Sequence, residues 1–241
     1  MTAYFLKAYG DRMELLTDTA NLDPATGCLM NCQQKFGHFE TGSYVAVASG
    51  DTPFAAAAGV AVLTHAQIYG LKATRAAFER IVAAGAKQVQ PHLLLLKPFN
   101  QLRLRVTFAG FHGIEPFIQT CQLEGGQVRS VDSDPSGVYS GPDITSEQAQ
   151  ALAEDAGWID FDRPLKEIGV TFIDLIRQLP PEPPSKTCGV GGHLFWTCIQ
   201  PAKPVVSELL HDWRDEIGKP IKPMKKPVLS ASSFKITCLS G

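Results

Sequence analysis

Apolar and polar positions along this chain fall into short runs, and glycine or proline marks most of the breaks between them. Residues 2–9 (TAYFLKAY) and 13–19 (MELLTDT) flank the turn Gly10-Asp11-Arg12. They predict a hairpin whose second strand ends near Asp18. A loop over 21–27 follows, then the segments Cys28–Cys32 and Lys35-Phe36-Gly37-His38-Phe39. Residues 43–49 (SYVAVAS) read as a buried strand closed by Gly50. Asp51-Thr52-Pro53 then has the chemistry of a helix start, with a capping side chain and proline in the first turn. That helix runs to about Tyr69. Its small residues predict close packing on a sheet. A second helix, about Thr74 to Ala84, is expected to stop at Gly85.

Residues 91–97, 102–111, 115–123 and 127–132 read as strands, the last two separated by Gly125-Gly126. Their spacing predicts an antiparallel meander. Residues 145–156 and Pro164 to Arg177 read as helices, the second with Leu165, Ile168, Phe172, Leu175 and Ile176 on one face. Residues 180–186 (PPEPPSK) form a stiff linker. Gly189-Val190-Gly191-Gly192 then leads into a core strand over 193–200. The order is strands, two helices, strands, two helices, then a strand. Such an α+β chain can stack two antiparallel sheets with helices outside them. Beyond 200 the character changes. Val205 to Ile217 reads as a short amphipathic helix, and 218–227 (GKPIKPMKKP) is basic and proline-rich. The expected division is a domain over 1–200 and a C-terminal extension over 201–241.

Composition narrows the field of functions. The 241 residues are 44% hydrophobic and 19% charged, enough to build a core. A formal net charge of -2 supplies no general attraction to nucleic acid or to an anionic membrane, and neither partner is expected. The most apolar stretch, Phe54 to Leu63, is too short to span a bilayer. No signal peptide is read at the start, and six scattered cysteines need no disulfide framework, so a cytoplasmic setting is expected. Cys28, Cys32 and His38 lack the second ligand pair of a structural zinc site. Gly189-Val190-Gly191-Gly192 is not a phosphate-loop or dinucleotide signature. No metal and no cofactor are expected.

The candidate chemistry centres on Thr2. An N-terminal threonine carries a nucleophilic hydroxyl and, in its α-amine, a base with a pKa near neutrality. While Met1 stays attached, that amine is tied up in a peptide bond. Each surrounding residue also has a plain structural reading. Thr2 can be the first residue of a strand, Asp18 a turn cap, Lys35 a solvent-facing lysine and Gly50 a strand end.

Taken together, Thr2 opening the first strand, Asp18 in LLTDTA, Lys35 in QKFGHF and the strand VAVASG ending at Gly50 resemble the proteasome-type N-terminal-nucleophile hydrolases. Gly189-Val190-Gly191-Gly192 before a final strand is a weaker likeness. The resemblance implies a four-layer αββα sandwich, assembled as a homo-oligomer. It also implies an N-terminal threonine peptidase or amidohydrolase acting on a peptide or amide substrate. In that scheme Thr2 attacks and forms an acyl-enzyme. Lys35 keeps the local potential positive, Asp18 orients Lys35, and the Gly50 N–H faces the oxyanion. Thr19 and Ser140 support the amine or a water. The chain departs from the family pattern in two places. Asp18-Thr19-Ala20 lacks the family's arginine, and Ser140-Gly141, with Asp143, only partly matches its serine–glycine turn. The alternative implied by these departures is a catalytically silent protein that uses the sandwich for assembly.

Overall fold

A computed structural model describes residues 3–23, 25–39, 41–135, 137–140, 162–178 and 189–222. In chain order the elements begin with the strands β1 (Tyr4–Tyr9), β2 (Arg12–Asp18), β3 (Ala20–Leu22), β4 (Leu29–Cys32), β5 (Phe36–Gly37) and β6 (Tyr44–Gly50). Four helices follow: α1 (Thr52–Tyr69), α2 (Leu71–Ala76), α3 (Phe78–Lys87) and α4 (Pro91–Leu96). Then come β7 (Arg103–His112), β8 (Glu115–Glu124), β9 (Gln127–Ser133), β10 (Val138–Ser140), α5 (Leu165–Gln178), β11 (His193–Ile199) and β12 (Val206–Asp212).

Two antiparallel sheets stack face to face. One has five strands in the order β10-β1-β2-β11-β12 and the other five in the order β5-β6-β7-β8-β9. The period-two alternation of a strand sends neighbouring side chains to opposite faces. Met13 and Leu15 of β2 therefore join Tyr4 and Leu6 in the layer between the sheets, against Val45, Val47, Phe111 and Ile118. Leu16, on the other face of β2, packs with Leu165, Ile168, Ile173 and Ile176 of α5. Leu104, Val106 and Phe108 of β7 face α1 and α3. The result is the expected αββα sandwich. β6 and β11 are interior strands of their respective sheets. Among the described residues no helix is long and apolar enough to cross a membrane.

Three local expectations are corrected. Residues 91–96 are helix α4, not strand. Pro91 suits a first helical turn, where its missing N–H has no partner to lose. Leu93 and Leu94 then pack against the core while Leu95 and Leu96 face outward. The helix expected to stop at Gly85 runs through it to Lys87. A Cβ at Gly85 would lie 2.8 Å from the Ala58 Cα, so glycine here lets α1 and α3 approach closely. Residues 206–212, expected to be helical, form β12. They complete the backbone hydrogen bonds of β11, whose far edge would otherwise lack a partner. The helix expected over 145–156 and the linker over 180–186 lie outside the described residues.

Candidate functional site

The site grows from the end of β2. Asp18 is fully buried, and each of its carboxylate oxygens is engaged. Oδ1 accepts from Lys35 Nζ and from the Ala3 amide, both at 2.9 Å. Oδ2 accepts from the Gly191 amide at 3.2 Å. One carboxylate thus gathers the start of β1, the segment before β5 and the loop before β11. Thr19 reinforces the junction. Its hydroxyl accepts from the His193 amide at 2.8 Å, and its carbonyl accepts from the Gln33 amide at 2.8 Å.

Lys35 is held on both sides of its Cα. Its carbonyl accepts from the Ala48 amide at 3.0 Å, while its side chain, 10% exposed, reaches back to Asp18. Burial pushes the Lys35 ammonium below its ordinary value of 10.5, and the charge and hydrogen bond of Asp18 oppose that shift. Cys32 adds a smaller opposing contribution.

Lys35 lines a cavity of about 200 Å³ between β6 and α1. Ala46, Ala48, Gly59 and Leu63 form apolar wall, and Asn21 and Thr52 contribute polar groups. The Thr52 hydroxyl donates to Asn21 Oδ1 at 3.1 Å. Gly50 lines the same cavity at the end of β6. Its φ of +105° favours glycine, and a Cβ there would sit 2.3 Å from the Arg103 carbonyl oxygen.

Of the residues that the sequence singles out, the structure brings Asp18, Lys35 and Gly50 to one place. Thr2 lies outside the described residues, one peptide bond from the Ala3 amide that Asp18 accepts. Ser140 pairs by its backbone with Tyr4 in β10, and Gly141 and Asp143 lie outside the described residues. The Thr19 hydroxyl, expected to support an amine or a water, instead receives the His193 amide. Among the described residues no three His, Cys, Asp or Glu side chains group as metal ligands.

Sequence reasoning misses the clamp behind the site. The Arg177 guanidinium donates to both oxygens of Asp215 at 2.9 Å and to the Val190 carbonyl at 2.9 Å. Asp215 Oδ2 also takes the Gly192 amide at 2.8 Å. This network fixes the loop that supplies Gly191 to Asp18. Arg177 and Asp215 are far apart in sequence and carry no spacing signal.

Two solved structures are similar in shape. One is a Gly-1 mutant of Anbu from Hyphomicrobium sp. strain MC1, at a TM-score of 0.58 and 14% identity, over 90% of this chain and 89% of that one. The other is Anbu from the same strain, at a TM-score of 0.57 and 12% identity, over 90% and 89%. The chain has the fold of the proteasome-type N-terminal-nucleophile hydrolases. No family model matches this sequence, and no curated protein does.

The likeness to Anbu corrects the expectation of an active N-terminal threonine peptidase or amidohydrolase. At 12–14% identity that likeness carries the fold and no peptidase activity with it. The geometry of Asp18 agrees with that correction. Its buried carboxylate joins three segments of the sandwich, which gives Asp18 and Lys35 a structural role.

Proposed function

We propose that this protein is a self-assembling member of the proteasome-like fold, with copies of the chain meeting through α1. The observation that carries this reading is the surface of that helix. It contains no Asp, Glu, Lys or Arg along its 18 residues. One side packs on the sheet through Phe54, Ala58 and Val62. The opposite ridge, Ala56, Val60, Thr64 and Ile68 at four-residue spacing, is exposed. Val60 and Ile68 each leave 63% of their surface in water and Tyr69 leaves 65%. An uncharged ridge with exposed apolar side chains, opposite a face already packed on the sheet, suits a second packing partner. A second copy would cover the ridge.

In this reading Asp18 and Lys35 are the internal pin of the sandwich, and Gly50 is a wall of the cavity beside it. Residues 201–241 extend a core unit of 1–200, and among the described ones β12 joins the sheet. The four described cysteines are free, in keeping with a cytoplasmic setting.

Sedimentation velocity tests the reading. The wild-type protein should sediment as an oligomer, and the double variant Val60→Glu/Ile68→Glu as a folded monomer. A wild-type protein that is monomeric at micromolar concentration, or an oligomer untouched by the double variant, would refute it.

A further inference from the structure

We propose that Lys35 is a carbonyl-capturing residue, condensing with a small neutral aldehyde or ketone held in the cavity between β6 and α1, with Asp18 as its proton partner. The inference goes beyond assembly, and the cavity shares Ala56 and Val60 with the α1 ridge.

Three observations support it. The lysine is buried, yet it lines a cavity of about 200 Å³, large enough for a short aliphatic compound. A carboxylate oxygen sits 2.9 Å from the amine nitrogen, within reach for a proton transfer. Lys35 is also the only charged residue among those described as lining the cavity. Among the described residues no second cation lines it to hold an anionic group, and Asp18 repels one. A neutral carbonyl compound with apolar substituents fits the Ala46, Ala48 and Leu63 walls. Burial of the ammonium favours the neutral, nucleophilic amine, the condition that imine-forming lysines need.

The step balances without a further reagent. Asp18 takes one proton from the Lys35 ammonium, and the freed nitrogen pair forms a bond to the carbonyl carbon. The carbonyl π pair moves to oxygen, which takes back the proton held by Asp18 and then a second one from the nitrogen, and leaves as water as the nitrogen pair closes the imine. The product is a protonated imine and one water. It carries the same single positive charge as the starting ammonium, so the ion pair with Asp18 persists.

The test is reductive trapping of the folded full-length protein with 3-methylbutanal and cyanoborohydride at neutral pH, followed by peptide mapping. The expected result is an alkyl group on Lys35 ahead of every other amine, including the N-terminal one. Pyruvate, of similar size but anionic, should label Lys35 more slowly by about tenfold or more, because of the adjacent carboxylate. The variant Ala48→Leu narrows the cavity without touching the ion pair and should lose most of the Lys35 adduct. Labelling confined to exposed lysines or the N-terminal amine would overturn the proposal. Equal labelling of Lys35 by pyruvate and 3-methylbutanal would overturn it as well. The pyruvate comparison uses the unmodified protein, so it decides the matter even if the Ala48→Leu chain fails to fold.

Discussion

Arg177 and Asp215 form a bidentate pair, two parallel hydrogen bonds of 2.9 Å, with the guanidinium 4.7 Å from the Trp213 ring centroid. The pair binds α5 to the segment after β12, and through Gly192 it holds the loop that feeds the Asp18 junction. Bidentate geometry of this kind is specific to arginine.

Removing one member leaves a buried charge without its partner, which costs roughly 3–5 kcal/mol. Arg177→Ala and Asp215→Ala should each lose stability of that order in urea unfolding. Arg177→Lys should recover only part of the loss, because lysine cannot reproduce the fork. A loss below about 1 kcal/mol in both alanine variants would show that the pair contributes no more than an exposed one.

The Asp18–Lys35 pair should behave as a coupled unit. Asp18→Asn and Lys35→Met should each destabilise by a few kcal/mol, and the double variant by clearly less than the sum. Unfolding of the four proteins of this cycle measures the coupling. Strict additivity would mean that the two side chains do not share their stabilisation.

Two buried groups should impose opposite alkaline slopes. The Lys35 pKa is lowered from 10.5, so just below 10.5 the unfolded chain holds a proton that the folded chain has shed. Stability therefore rises with pH across that window, and Lys35→Met should lack the rise. Cys121 is pushed from 9.0 up to about 12, by burial first and by the charge of Glu79 second. Its contribution is complete below pH 9.0 and is lost as pH climbs toward about 12, because the unfolded thiol ionises first. Stability–pH profiles of the wild type, Lys35→Met and Cys121→Ala separate the two slopes.

Gly50→Ala combines an unfavourable φ with contact against fixed backbone. It should destabilise the protein by roughly 1–3 kcal/mol. At Gly10, where nothing lies within 4 Å of a Cβ, the same change should be close to neutral. Thermal unfolding of both variants makes the comparison, and equal effects would contradict the assignment of Gly50 to a constrained position.

The sequence by itself determined those elements whose periodicity matches their final environment. The first hairpin, β6, α1, the meander of β7 to β9, α5 and β11 are legible because each carries its burial pattern within its own residues. The meeting of Asp18 and Lys35 was legible only through the resemblance, which supplied a long-range relation that spacing cannot. Tertiary structure alone decided the rest. The β12 segment reads as an amphipathic helix locally, yet the open edge of β11 offers it backbone partners that no local pattern encodes. Gly85 looks like a helix stop until Ala58 of a neighbouring helix is found against it. The Arg177–Asp215 clamp and the cavity beside Lys35 exist only once distant segments are stacked, because burial and ion pairing are properties of the assembled layers.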